Sequence, residues 1–169
     1  MEIRRGGAGD APLILAMLDG AVAWLSGQGR SGQWGDTPWS ASPRGVERVG
    51  GIARDDEVWI AEIGGRPAGA MALSSGPPAY VAPVEEPEVY ITLLVTDRAF
   101  AGRGVGAALI EHARERARHQ GVGLLRVDCY GGGDGRLVDY YRGNGFTSAG
   151  EFTVGDWPGR VLTQRLPLS

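Results

Sequence analysis

Val95-Thr96-Asp97-Arg98-Ala99-Phe100-Ala101-Gly102-Arg103-Gly104-Val105-Gly106-Ala107-Ala108-Leu109-Ile110 decides how this chain is read. An apolar, strand-like run over residues 88–95 leads into it, and the Gly102-Arg103-Gly104-Val105-Gly106 loop then opens a long amphipathic segment. Glycines, having no Cβ, let backbone approach a ligand closely. The unpaired N–H groups of a helix's first turn, at the positive end of its dipole, form an anion site. The stretch therefore predicts a bound phosphate.

Working outward, residues 104–120 read as the helix. Val105, Ala108, Leu109, His112, Ala113 and Ala117 form its inward face, and Glu111, Arg114, Glu115 and Arg118 face water. Leu124–Tyr130 reads as a strand and 134–143 as a short helix after Gly131-Gly132-Gly133. Residues 148–154 and 160–166 read as a closing hairpin around Asp156-Trp157-Pro158-Gly159. Toward the N-terminus, Glu2–Arg5 reads as a strand and 11–26 as a helix capped by Asp10. Ser42-Pro43 starts a second helix over 43–54, and Gly64-Gly65 joins strands 58–63 and 66–73. Trp34 and Trp39 fall in a loop, and 74–87 is a loop carrying Pro77, Pro78, Pro83 and Pro87. The order β-α-α-β-β-β-α-β-α-β-β predicts an α/β chain, an α+β mixed sheet flanked by helices, in a single domain spanning residues 1–169.

Composition narrows the partners. The net charge of −3 argues against a basic nucleic-acid-binding surface. All 17 basic residues are arginine, a pattern expected of a GC-rich genome. Cys129, the single cysteine, excludes an internal disulfide, and with only His112 and His119 beside it no metal site is expected. Arg4-Arg5 before an apolar stretch resembles a secretory signal. However, Glu2, Asp10 and Asp19 interrupt the pattern, no cleavage site follows, and the stretch reads as too short to span a membrane. A cytoplasmic protein, off the membrane, is the expectation.

Two phosphate ligands compete for the glycine loop. Gly102-x-Gly104-x-x-Ala107, with Asp128 at the end of the next strand, formally fits a dinucleotide fingerprint. That fingerprint needs a tight strand-to-helix turn, whereas six residues separate Val95 from Gly102, and too little chain remains for a doubly wound sheet. A P-loop is excluded because no lysine follows the glycines. The other ligand is the pyrophosphate of coenzyme A.

Val95-x-x-x-x-x-x-Gly102-Arg103-Gly104-Val105-Gly106-x-x-Leu109, Tyr140-Tyr141-x-x-x-Gly145-Phe146 and the strand pair that follows together resemble the GNAT superfamily of acetyl-CoA-dependent N-acetyltransferases. The resemblance implies the GNAT acyltransferase fold, acetyl-CoA as cosubstrate, no metal, and direct transfer to an amine in a ternary complex. It implies that strand 88–95 splays from strand 124–130, with backbone at Leu93, Leu94 and Val95 holding the pantetheine arm. Gly102, Arg103, Gly104, Val105, Gly106 and Ala107 would take the pyrophosphate. Tyr141 is the implied general acid and Glu88 the implied base. Glu85, Glu86 and Glu88 would draw in a cationic amine, and Trp24, Trp34 and Trp39 lie where the family shapes its acceptor pocket. Two positions depart from the pattern: Ala101 replaces a Gln or Arg, and Asp134, also expected near the cofactor, replaces an Asn. The acceptor is expected to be a small-molecule or peptide amine, with room left for a homodimer. A catalytically silent acyl-CoA-binding sensor is the alternative. A toxin acting on aminoacyl-tRNA is disfavoured by the acidic charge.

Overall fold

Gly64 and Gly65 stand at φ +59° and +77°, the left-handed pair that a two-residue type I′ turn requires. They fix the first hairpin of this computed structural model, which describes residues 1–168. β2 (Glu57–Ile63) and β3 (Arg66–Ser74) pair antiparallel around them, with Ile63 opposite Arg66. β1 (Glu2–Arg5) pairs antiparallel with β2. α1 (Ala11–Gly27) and α2 (Pro43–Asp55) follow β1 in sequence. Ser42 caps α2 as the sequence predicts, its hydroxyl accepting from the Gly45 N–H at 3.2 Å.

These elements form one of two compact units, Met1–Leu73 with Leu93–Leu109. Its core gathers Ile14, Met17, Leu18 and Ala21 from α1, Val49 from α2, and Val58, Ile60, Ala70, Ala72 and Val95 from strands. Burying each large aliphatic chain contributes about 1.5–3 kcal/mol. Taken with its preceding turn, Ala8–Gly27 is long and apolar enough to cross a membrane by length and composition, contrary to the expectation. Here Ile14, Met17, Leu18, Ala21, Val22 and Leu25 of that stretch are buried. Asp10 does not cap α1 with its side chain. It accepts instead from the Gly7 N–H at 3.0 Å and from Arg4 at 2.9 Å, because a charge-assisted bond outcompetes a neutral one.

The second unit is Ser74–Thr92 with the residues from Ile110 on. β4 (Val89–Thr96) and α3 (Val105–His119) each contribute to both units. The first half of β4 runs parallel to β5 (Leu124–Tyr130), with Val89, Tyr90 and Ile91 opposite Leu125, Arg126 and Val127. A parallel pair needs a crossover, and α3 is that connection. α4 (Arg136–Gly143) follows β5. β7 (Trp157–Arg165) then pairs antiparallel with both β5 and β6 (Thr147–Val154). The seven strands are ordered β1-β2-β3-β4-β5-β7-β6 in one mixed sheet, with the predicted order of elements.

Three local readings are corrected in this unit. The last hairpin turns at Gly155-Asp156, because Val154 pairs with Trp157 and Gly155 takes φ +58°. Glycine at the first central position fits a II′ turn, so Trp157, Pro158 and Gly159 lie within β7. α4 starts at Arg136, two residues later than predicted, with Gly135 in the left-handed conformation before it. Arg114 is not solvated. Its Nε donates to Gln164 Oε1 at 2.5 Å and its Nη2 to the Asn144 carbonyl, just past the end of α4. Its long stem lets a surface helix position reach the Asn144 carbonyl, to which Gln164 Nε2 also donates at 3.4 Å.

Candidate functional site

The glycine loop is shaped in the first unit. After β4, Asp97 accepts from the Ala99 N–H at 2.8 Å and tightens a 3₁₀ turn over Arg98–Phe100. Gly102 and Gly104 follow at φ +78° and +73°, a conformation that strains any other L-residue. No heavy atom lies within 4 Å of where a Cβ would stand at either position. The Gly104 carbonyl accepts the first helical bond, from the Ala108 N–H at 3.0 Å. The N–H groups of Val105, Gly106 and Ala107 therefore occupy the first turn of α3, where a helix has no internal acceptor for them. The Arg103 N–H is already committed to the Phe100 carbonyl at 3.2 Å, and the Arg103 side chain is exposed.

Gly69 on β3 seats this helix. A Cβ there would stand 2.6 Å from Val105 Cγ1 and 3.2 Å from the Val95 carbonyl oxygen. Val95 is buried and Leu93 packs against the core of the same unit, while Leu94 is half-buried. All three lie past the last register pair of β4 with β5, which is Ile91 with Val127. Trp34 and Trp39 pack against the core as well. Trp24 is partly exposed and carries the Arg98 guanidinium 3.7 Å above its ring.

The second unit holds Tyr141 and Glu88, in very different settings. Tyr141 is 5% exposed on α4. Its ring meets Tyr140 and Phe146 edge-on at 5.4 and 5.7 Å. Burial, followed by the neighbouring Cys129, Tyr140 and Asp128, pushes its hydroxyl well above the usual phenol range. The hydroxyl keeps its proton at neutral pH, as an unshifted phenol also would, and burial makes it a weaker acid than a solvated phenol.

Glu88 is 5% exposed, and both of its oxygens are taken by Arg126. The Arg126 Nε donates to Oε1 at 2.7 Å and Nη2 to Oε2 at 2.9 Å, with a further bond to the Ala82 carbonyl at 3.3 Å. A carboxylate clamped in this way has its charge neutralised and its lone pairs engaged. The expectations that Glu88 acts as base and that it draws in an ammonium do not fit this environment. Glu86 is likewise paired, with Arg165 at 2.6 and 2.7 Å, while Glu85 is exposed.

Asp134 accepts from the Arg136 N–H and from Arg136 Nε, both at 3.1 Å. It thus orders the entry to α4, and its charge is offset by Arg136. Cys129 is buried, and burial pushes its thiol up to about 12, so it is neutral and unreactive at physiological pH. His112 and His119 lie on α3. Among the described residues no group of three His, Cys, Asp or Glu side chains converges as a metal site would require.

Sequence reasoning missed a polar group on one face of β4 and β5. Tyr90, fully buried, donates its hydroxyl to Asp128 Oδ2 at 2.6 Å, and the Tyr80 hydroxyl reaches Oδ1 at 3.5 Å. The available signal was two opposite charges, Arg126 and Asp128, at i and i+2 of an otherwise apolar strand. That spacing puts both on one face.

The acetyltransferase (GNAT) family profile matches residues 24–146, more than half of the chain. The chain belongs to this family. Among curated proteins none matches it. Solved structures similar to this GNAT chain include a ribosomal-protein-alanine N-acetyltransferase from Brucella melitensis. It is 20% identical with a TM-score of 0.67, over 98% of this chain and 100% of that one. An acetyltransferase of the GNAT family from Listeria monocytogenes is 22% identical with a TM-score of 0.71, over 98% and 94%. Salmonella typhimurium yncA, solved with its cofactor acetyl-CoA, is 17% identical with a TM-score of 0.64, over 100% and 95%. These likenesses establish the GNAT fold and are too distant to carry an acceptor.

Proposed function

We propose that this protein is a single-domain cytoplasmic enzyme that moves an acetyl group from acetyl-CoA to the primary amine of a small-molecule or peptide acceptor, by direct attack in a ternary complex. The observation that carries the proposal is the loop before α3. Its two left-handed glycines have open space at the Cβ position, and three N–H groups of the first turn follow them. That arrangement fits a pyrophosphate, which needs close backbone approach and donors at the positive end of a helix dipole. Gly102, Gly104, Val105, Gly106 and Ala107 would hold it through the backbone and Arg103 through its side chain. The backbone of Leu93, Leu94 and Val95 would hold the pantetheine arm.

Bound acetyl-CoA supplies an activated thioester. The amine, once it has lost its proton to solvent, forms a new C–N bond at the acetyl carbon as the C–S bond breaks. Tyr141 holds the proton that the leaving thiolate takes. The proton shed by the attacking nitrogen balances it, so the products are an amide and a free thiol. Ala101, lacking the usual polar side chain, weakens cofactor affinity without removing the backbone cradle.

Gly104→Asp tests this reading. It forces a side chain into a left-handed position and a negative charge into the anion cradle. In calorimetric titration of the folded variant, affinity for acetyl-CoA should fall by at least roughly tenfold, the size expected for losing one or two charge-assisted contacts. Equal affinity in variant and wild type would overturn the cradle. Tighter binding of NAD than of coenzyme A would restore the dinucleotide reading. Binding without turnover on any amine would point to an acyl-CoA sensor.

A further inference from the structure

We infer that Arg114, together with Gln164, is a positioning residue for the proposed proton donor: it grips the end of α4 and so sets where the Tyr141 hydroxyl stands. This rests on the acetyltransferase reading above and deepens it.

Tyr141 stands in the last turn of α4, and the residues after it form a Schellman cap. The Phe146 N–H donates to the Tyr141 carbonyl at 3.1 Å and the Gly145 N–H to the Arg142 carbonyl at 3.0 Å. Gly145 takes the left-handed conformation that such a cap needs, at φ +92°. Phe146 lies edge-on to the Tyr141 ring at 5.7 Å, the apolar contact that accompanies the motif. The Asn144 N–H also reaches the Tyr141 carbonyl, at 3.0 Å, and the Asn144 side chain donates to the Tyr140 carbonyl at 2.9 Å. Tyr141 and the turn over 144–146 are thus one hydrogen-bonded piece.

That piece is held from outside the helix. Arg114 of α3 donates through Nη2 to the Asn144 carbonyl and through Nε to Gln164 Oε1 of β7, the latter at 2.5 Å. Gln164 Nε2 donates to the same carbonyl at 3.4 Å. A Cβ at Gly145 would collide with the Gln164 amide and stand 3.5 Å from Arg114 Nη2, so the glycine admits the grip as well as the turn. All of these residues lie in the second unit.

The Arg114 side chain is only 15% exposed, and a cation withdrawn from water is costly unless it is hydrogen-bonded. It keeps one carboxylate, Glu111 on its own helix at 2.8 Å, and turns Nε and Nη2 to neutral acceptors at the end of another helix. α4 is eight residues long, shorter than the roughly 12–15 residues at which a helix begins to hold by itself, so its position depends on such contacts. A reacting group displaced by about 1 Å can lose ~100-fold in rate.

Arg114→Met keeps the stem and removes the donors. In the full chain, amide hydrogen exchange over residues 140–147 should quicken by roughly tenfold or more, the effect of losing a charge-assisted bond, while α1 and β2 exchange as in wild type. Thiol release from acetyl-CoA, with phenethylamine, spermidine or water as acceptor, should show kcat lowered roughly 10–100-fold. Calorimetric affinity for acetyl-CoA should stay near wild type. In a Tyr141→Phe background the same replacement should add almost nothing, because no hydroxyl is left to place. Arg114→Lys, which can still donate to the Asn144 carbonyl, should recover part of kcat. Gln164→Leu removes the acceptor of Nε and the second donor to that carbonyl. It should show the same pattern, and it keeps the test decisive if Arg114→Met does not fold.

Wild-type exchange and kcat in Arg114→Met, or an equal loss with and without the Tyr141 hydroxyl, would overturn the inference. The acetyltransferase reading would survive either result. Wild-type kcat in Tyr141→Phe would instead overturn the proton-donor role, and the inference with it. Thiol release at the enzyme-free rate with all three acceptors would overturn the transfer reading itself.

Discussion

Arg126→Met is expected to destabilise the protein by about 3–5 kcal/mol, the largest loss of any single replacement considered. Glu88 would be left as a carboxylate 5% exposed with its main donor gone, and an unpaired buried charge costs far more than the pair contributes. Arg126 also closes the Pro-rich loop through the Ala82 carbonyl and lies 5.2 Å over the Tyr90 ring, so packing is lost with the charge. Urea or thermal unfolding reads the effect. The double replacement Glu88→Leu with Arg126→Met should recover much of the loss, because swapping both ions for apolar groups is often neutral. A single replacement that unfolds with the wild-type midpoint would show that the pair has no structural role.

Tyr141→Phe is expected to lower kcat by roughly 10²-fold or more, with little change in acetyl-CoA affinity. The ring and its contacts with Tyr140 and Phe146 are kept, and only the hydroxyl is removed. A phenol carries its proton at neutral pH, so without the hydroxyl the leaving thiolate would have to find its proton in water. The assay must be run where the chemical step limits turnover. An unchanged kcat there would reduce Tyr141 to a packing residue under α4.

What was legible in the sequence, and what was not, follows the range of the interaction involved. Gly64-Gly65, Ser42-Pro43 and the Gly102–Gly106 loop act on their own neighbours, and the structure places turn, cap and helix start where those residues imply. The order of strands and helices was readable for the same reason. The role of Glu88 was not, because its partner Arg126 lies 38 residues away and meets it only through the parallel register of β4 with β5. Arg114 looked solvated because its helix face is polar, yet its partner Gln164 is 50 residues distant. The ring contacts of Phe152 with Tyr80 and Trp157 were hidden more deeply. Trp157 and Gly159 read as turn residues until Gly155 took the turn, and only then does Gly159 fall opposite Phe152. Asp128 was visible only as the acid of a dinucleotide fingerprint, since nothing local to it announces Tyr90 or Tyr80.

The account's central claim is acetyl transfer from acetyl-CoA to an amine. Release of free coenzyme A thiol, followed continuously with acetyl-CoA and a panel of amines, tests it most directly. The account predicts thiol release that depends on both enzyme and amine, matched mole for mole by N-acetylated product in the mass spectrum and strongly reduced in Tyr141→Phe. Thiol release at the enzyme-free rate with every amine, from folded protein that binds acetyl-CoA, would contradict it.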